Sequence, residues 1–273
     1  MKNIKEYVNE QKAILKAKIL DCDKPPIFYI IQVGNDEASN RYVRNKIKDC
    51  EEVGIQSHLI KYDDTYTEEI LQQMNALNDD NKVNAYMVQF PLPKHINKYA
   101  IIKNISPRKD ADGFTDNGIT NPATPQGIIT YLERNDYNFE NKNALVIGRS
   151  EIVGKPMARL LLEKNCNVTI IHSHTSEHNK FRQIELADLI VCATGDIGTL
   201  DDNYQYYSPI IFDVGINFDD NGKLVGDCYP NLRHVAFQSP VPNGVGLLTR
   251  LQLLENIYKL YLMNNERNIT NEI

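Results

Sequence analysis

The chain contains no C-x-x-C pair. Its five cysteines, Cys22, Cys50, Cys166, Cys192 and Cys228, are scattered and odd in number. That pattern argues against a disulfide scaffold or a zinc ribbon, and the expectation is a reduced, cytoplasmic protein. No apolar run approaches the roughly 20 residues needed to cross a bilayer. The opening MKNIKEYVNEQKAILKAKIL is charged and amphipathic, without the apolar core of a signal peptide. Nor is there a basic excess. Thirty Lys and Arg against 36 Asp and Glu leave a net charge of -6, which is not the footprint of a nucleic-acid binder. An anionic ligand must therefore be held by local groups. Internal repeats and low-complexity segments are also missing.

What remains is an ordinary globular composition, 42% hydrophobic and 24% charged over 273 residues. IFYIIQV, 27–33, predicts a buried strand, and Gly34 then leads into a helix over ASNRYVRNKIKDCEEVG, Ala38 to Gly54. A strand over 55–62, a helix over 67–78 and a strand in NAYMVQFPLP follow. The alternation predicts a parallel sheet with helices on its faces. ISPRKDADGFTDNGITNPATPQG, 105–127, interrupts it with a long polar loop of the kind that carries function or joins domains. Thr124 is the expected N-cap of the next helix, with Pro125 at its first position. The alternation then resumes through NALVIGRS, GKPMARLLLEKN, CNVTIIHS, ADLIVCATG and SPIIFDVGIN. A C-terminal helix from Leu248 is expected to pack back on the first half.

VIGRSEIVGKP carries Gly148 and Gly154 between a strand and a helix. A dinucleotide fold needs glycine there, so that the backbone approaches the pyrophosphate at a helix N-terminus. The spacing is not the strict G-x-G-x-x-G, and taken alone it fits a tight strand–helix turn equally well. The next strand ends IIHSHT, without the acidic residue that binds a ribose 2′-hydroxyl. Arg149 and Ser173 stand where a 2′-phosphate would need them, so NADP is expected over NAD. His172 and His174 have no third ligand nearby, and no metal is expected.

On the helix over 38–54, Val43, Ile47 and Cys50 form the apolar stripe, with Tyr42, Lys46 and Asp49 alongside. Helix position alone favours a surface lysine whose stem covers the core. Two features weigh against this. Gln89 sits at the carboxyl end of a strand, where open α/β sheets bind ligands. Asp112 lies on the polar loop, whose spacing does not suit calcium.

Nine motifs run in order: S-x-x-Y-V-x-x-K (Ser39 to Lys46), V-Q-x-P-L-P (Val88 to Pro93), K-D-x-D-G-F (Lys109 to Phe114), T-P-x-G (Thr124 to Gly127), G-R-S-x-I-V-G-x-P (Gly148 to Pro156), H-S-x-T (His172 to Thr175), D-V-G-I-N (Asp213 to Asn217), G-D (Gly226 and Asp227) and P-V-P-x-G-V-G (Pro240 to Gly246). In this order the chain resembles, over nearly its whole length, the bifunctional methylenetetrahydrofolate dehydrogenase/cyclohydrolase family. The resemblance implies a two-domain α/β protein with an active-site cleft between the domains. One is a three-layer α/β catalytic domain over 1–120, completed by 248–273. The other is a Rossmann-type NADP-binding domain over 121–247.

The resemblance also implies the chemistry: NADP-dependent oxidation of 5,10-methylenetetrahydrofolate, then hydrolysis of the methenyl cation to 10-formyltetrahydrofolate. It makes Lys46 the catalytic lysine, with Tyr42 stacking on the folate, Gln89 supporting the amine and Asp112 holding the pterin. Val88, Phe90, Pro242, Asn243, Gly244, Val245 and Gly246 are implied substrate contacts. Gly148, Arg149, Ser150, Val153, Gly154, Ser173, Thr175 and Ile216 are implied cofactor contacts. A homodimer acting on tetrahydrofolate derivatives is implied as well.

The chain departs from the family pattern at Ala111, Ala123, Asn243 and Leu247-Leu248. The alanines are expected to be packing changes. Asn243 is expected to tolerate the positive φ of a glycine turn. The alternatives are a dehydrogenase with weak or no cyclohydrolase activity, and a non-catalytic folate- or nucleotide-binding protein.

Overall fold

The computed structural model describes residues 1–115 and 118–270, the last five of these without side chains. The expected C-terminal helix over 248–273 therefore has its last three residues outside the described part. The chain divides into two compact units. One is Asn9–Ala123 with Arg250–Ile273, and the other is Met1–Val8 with Thr124–Thr249.

The described elements are, in chain order, α1 (Ile4–Leu20), β1 (Ile27–Val33), α2 (Glu37–Val53), β2 (Gln56–Tyr62), α3 (Thr67–Asp79), β3 (Ala85–Val88), α4 (Lys98–Asn104), α5 (Ala123–Glu133), β4 (Asn143–Ile147), α6 (Gly154–Glu163), β5 (Asn167–Ile171), α7 (Glu177–Leu186), β6 (Leu189–Cys192), β7 (Ile210–Asp213), β8 (Asn217–Phe218), β9 (Leu224–Val225), β10 (Phe237–Gln238) and α8 (Val245–Thr270).

In the first unit the strands run parallel in the order β2-β1-β3. Side chains alternate across a strand, so the sheet has two apolar faces to cover. Phe28, Ile30, Ala85 and Met87 face Leu15 and Ile19 of α1, Val43, Cys50 and Val53 of α2, and Leu253, Leu254, Ile257 and Leu260 of α8. Ile31, Val33, Tyr86 and Val88 face Ile70, Met74 and Leu77 of α3 and Ile101 of α4. The expected return of the C-terminal helix to the first half is thus observed. β3 ends at Val88, and Gln89 comes next. Two residues on from Met87, Gln89 shares the face that α2 covers.

The second unit holds a parallel sheet in the order β10-β7-β6-β4-β5. From β4 the chain runs to β5 on one side, then returns to β6 on the other. The order therefore reverses at β4, and open α/β sheets bind ligands beyond the strand ends at such a point. Leu145, Ile147, Ile171, Ile184 and Ile190 fill one face.

Five elements depart from the sequence-based expectation. α5 starts at Ala123, so Thr124 lies inside the helix rather than capping it. Its hydroxyl instead meets Thr249 Oγ1 at 3.0 Å. α7 comes from a polar stretch with little helical periodicity, and the Ser176 hydroxyl caps it by accepting from Asn179 N. The β8–β9 hairpin and β10 have two-residue strands, too short to leave a period.

Candidate active site

α2 opens on Asp36, whose carboxylate accepts from Ser39 N at 2.8 Å, and closes on Gly54 in the left-handed region. Between these caps the helix carries Lys46, which helix position alone would have placed at the surface. Lys46 is only 8% exposed. The apolar stripe was read one row too narrow, because the residues of α8 that cover it lie about 200 positions away in sequence.

The Lys46 amine donates to Gln89 Oε1 at 3.0 Å and lies 3.3 Å from Met87 Sδ. Both partners are neutral. Gln89 Nε2 donates to the Phe90 carbonyl at 2.5 Å, which leaves the amide oxygen facing the lysine. Burial lowers the Lys46 pKa below the usual lysine value, opposed by the Asp112 carboxylate and assisted by the Arg250 guanidinium. Burial also pushes Asp112 up to about 6, against the pull of Lys46. Tyr42, one turn before Lys46, is raised by burial, with Arg250 acting in the opposite sense. Lys46, Gln89, Tyr42 and Asp112 therefore come from one unit, and Lys46 is directly coupled to Gln89 and Asp112.

Asp112 owes its place to its neighbours in the same motif. Lys109 Nζ donates to the carbonyls of Leu77, Asn78 and Asp80, tying the loop to the end of α3. Asp110 is buried and accepts from Gly113 N, Thr115 N and Thr115 Oγ1. Gly113 takes a positive φ, and a Cβ there would collide with the Asn121 backbone. Ala111 and Ala123 are both buried, as packing positions should be. The Ala111 carbonyl accepts from Asn256 of α8 at 2.9 Å. Val88 lies with its side chain inside the core, and Phe90 packs edge-on against Phe114.

The second unit contains a cleft of about 390 Å³ beyond the carboxyl ends of β4, β5 and β6. Gly148, Arg149, Ser150, His172, Ser173 and Thr194 are among the residues lining it. Gly148 has a positive φ, and a Cβ there would collide with the Ala193 carbonyl. A Cβ at Gly154 would collide with the Gly148 carbonyl. The Ser150 hydroxyl accepts from Val153 N and Gly154 N at 3.3 Å, closing the turn at the start of α6. Thr175 Oγ1 accepts from His172 N, and Thr175 N donates back to the His172 carbonyl. Arg149, Ser150 and Ser173 thus line the cleft, while Val153, Gly154 and Thr175 shape its walls. The arrangement suits a dinucleotide with a phosphorylated ribose: bare backbone at a helix start, a cation and hydroxyls. Ile216 is exposed, and neither it nor 242–246 lines this cleft. Asn243 has φ 75°, so the turn accepts asparagine at that position.

Sequence reasoning missed the carboxylates that brace this cleft. Asp227 is fully buried and accepts from Thr194 N, Thr194 Oγ1, Gly195 N and Asn217 Nδ2. Asp213 accepts from Gly215 N, Asp227 N and Cys228 N. A Cβ at Gly215 would strike Asp227, and one at Gly226 would strike Asp213. The D-V-G-I-N and G-D motifs therefore interlock, each glycine making room for the other motif's carboxylate. Glu177, Lys180 and Tyr204 also line the cleft; the first two follow IIHSHT closely in sequence, and Tyr204 had no sequence signal.

The tetrahydrofolate dehydrogenase/cyclohydrolase catalytic domain matches residues 1–112, and the NAD(P)-binding domain of the same family matches 122–265. A bifunctional protein FolD from Janthinobacterium is 42% identical, with 93% of each chain covered. Another from Bacillus cytotoxicus is 39% identical over 92% of each. Among solved structures, the bifunctional FolD of Campylobacter jejuni superposes with a TM-score of 0.85 at 35% identity, covering 95% of both chains. The Trypanosoma brucei methylenetetrahydrofolate dehydrogenase-cyclohydrolase, solved with NADP and an inhibitor, gives 0.89 at 25% identity over 98% of both. With two domain matches in sequence order and relatives near 40% identity over almost the whole length, the chain belongs to the tetrahydrofolate dehydrogenase/cyclohydrolase family.

Proposed function

We propose that this chain oxidises 5,10-methylenetetrahydrofolate with NADP and hydrolyses the resulting methenyl cation to 10-formyltetrahydrofolate, with Lys46 as the group that moves the protons. The observation that carries this reading is a buried amine hydrogen-bonded to an amide oxygen rather than to a carboxylate.

NADP, when bound, accepts the hydride. That step asks the protein for orientation, not for a base. Gly148 and Gly154 leave the backbone bare where the pyrophosphate would lie, at the start of α6. Arg149 and Ser173 would hold the 2′-phosphate. Gly148, Ser150, Val153, Gly154, Thr175 and Ile216 complete the assignment, the last by resemblance alone. The NADP-bound relative from Trypanosoma brucei supports the same cofactor here.

Hydrolysis differs, because water must lose a proton as it attacks the cationic carbon. Lys46 takes that proton and passes it to the departing ring nitrogen, while the second proton of the water leaves to solvent. The amine must start neutral, and burial pushes it that way. Gln89 holds it without adding negative charge. Tyr42 stacks on the folate, and Asp112 binds the pterin. Val88, Phe90, Pro242, Asn243, Gly244, Val245 and Gly246 are further folate contacts. Val88 would act through its main chain, since its side chain is buried in the core.

The functional division runs 1–120 with 248–273 for folate, and 121–247 for the dinucleotide. A homodimer is supported by β5, an edge strand with Ile170 exposed. Light scattering that returns a monomer rejects it. Five free cysteines support a reducing, cytoplasmic setting.

The test is spectrophotometric. Purified protein should form NADPH on adding methylenetetrahydrofolate and consume methenyltetrahydrofolate without cofactor. A faster first reaction with NAD rejects the cofactor assignment. Absence of the second reaction leaves a dehydrogenase only.

A further inference from the structure

Behind Lys46 lies a second set of charges that the reaction as described leaves unused. Asp49 is one turn further along α2 and only 4% exposed. Lys12 of α1 donates to its Oδ1 at 2.5 Å and also reaches Glu52 at 2.8 Å. Arg250, in the first turns of α8, brings a guanidinium nitrogen to 2.8 Å from Oδ2. That contact is an ion pair without hydrogen-bond alignment. A buried carboxylate costs desolvation that close pairing must offset, and here two cations supply that pairing.

The placement of Arg250 is well determined. α8 is tied down two turns later, where Asn256 donates to the Ala111 carbonyl beside Asp112. Leu253, Leu254 and Ile257 seat the same helix on the sheet. The Arg250 side chain is 19% exposed, so its charge is poorly screened by solvent. The charged and titratable groups acting on the Lys46 amine are Asp112 on the loop, Cys50 on its own helix and Arg250 on α8, while Tyr42 and Asp49 stand on the same row of α2. Lys12 and Glu52 join through Asp49, and Met87 and Gln89 contribute neutral atoms. Burial lowers the pKa most; of the charges, Asp112 and then Cys50 favour the ammonium, and Arg250 opposes it.

We propose that Arg250 is a positioning residue for the hydrolytic step: a fixed cation, anchored on Asp49, that keeps the Lys46 amine free of the extra proton so that it can accept one from water. Asp49 sets the direction of the guanidinium, and Lys12 supplies the second cation that the buried carboxylate needs. The inference rests on Lys46 being the proton-carrying group.

The experiment is an amine titration followed by nitrogen NMR on lysine-labelled protein, with the Lys46 signal assigned by its loss in Lys46→Met. Arg250→Gln retains hydrogen-bonding groups towards Asp49 but drops the charge. It should raise the Lys46 midpoint by about one pH unit, the lower end of what a nearby like charge does. Cyclohydrolase turnover at pH 7 should then fall about tenfold and recover at higher pH, with a smaller loss of dehydrogenase activity. Arg250→Lys should restore both the midpoint and the rate, and it covers the case in which Arg250→Gln melts below the assay temperature. An unmoved midpoint in a folded Arg250→Gln protein overturns the inference. A loss that appears only as a higher KM growing with the number of substrate glutamates also overturns it, because Arg250 would then be a carboxylate contact. Full cyclohydrolase activity in Lys46→Met would reject the catalytic assignment instead, and the titration would still report whether Arg250 controls the amine.

Discussion

The two units prepare their ligand-facing surfaces in opposite ways. In the first, the chemistry hangs on side chains from separate elements: Lys46 from α2, Gln89 after β3, Asp112 from a loop and Arg250 from α8. Each is buried or half-buried; Lys46 and Asp112 act on one another's charge state, and Arg250 acts on that of Lys46. In the second, much of the surface is backbone. Gly148 and Gly154 clear space, Ser150 closes the turn, and Asp213 and Asp227 hold the surrounding loops by accepting from main-chain nitrogens. A proton-transfer site must tune pKa values, which takes burial and neighbouring charge. A phosphate cradle needs clearance and donors, which main chain supplies.

The comparison is broken most sharply at the lysine. Lys46→Met should cost cyclohydrolase activity about 1,000-fold, within the range of general acid–base catalysis. The dehydrogenase should lose far less, and the two rates measured on one preparation decide this. Gly148→Ala is the counterpart in the other unit. The added methyl meets the Ala193 carbonyl and strains a positive φ. Its KM for NADP should rise about 100-fold, from a strain of roughly 3 kcal/mol, with cofactor-free cyclohydrolase activity largely kept. Equal loss of both activities would show that the units are not separable in this way.

Smaller effects sharpen it. Arg149→Ala should raise the KM for NADP about tenfold while leaving that for NAD nearly unchanged, since one charge-assisted contact to phosphate is removed. For Asp112, the raised pKa means that the carboxylate is ionised only above about 6. If the ionised form binds the pterin, the KM for methylenetetrahydrofolate should rise several-fold between pH 7 and pH 5.5. Asp112→Asn should show no such rise, and a wild-type KM that is flat over this window would remove the role.

Much of this organisation was legible from residue order. β1, α2, β2, α3 and β3 each carry a period or a punctuating glycine or proline, and the glycine turn before α6 marked the second unit. Helix periodicity taken by itself misplaced Lys46, and the motif order corrected it. Periodicity reports how a helix treats its own residues, and it is blind to a second helix arriving from the other end of the chain. The same blindness hid the pairing of Asp49 with Arg250 and the interlock of Asp213 with Gly226. A linear reading names both carboxylates but not what they hold, because the partner that makes each necessary is absent from its neighbourhood.

Local chemistry in the chain was therefore enough for the longer strands, the clearance at Gly148 and the order of the motifs, since each depends on residues within a few positions of one another. The charge state of the active-site lysine was not within its reach. That depends on burial of the amine against Met87, on Gln89 facing it with an oxygen that carries no charge, and on Asp112 and Arg250 pulling the proton in opposite directions. Those groups meet only after the sheet has assembled, and burial and charge act through space rather than along the chain.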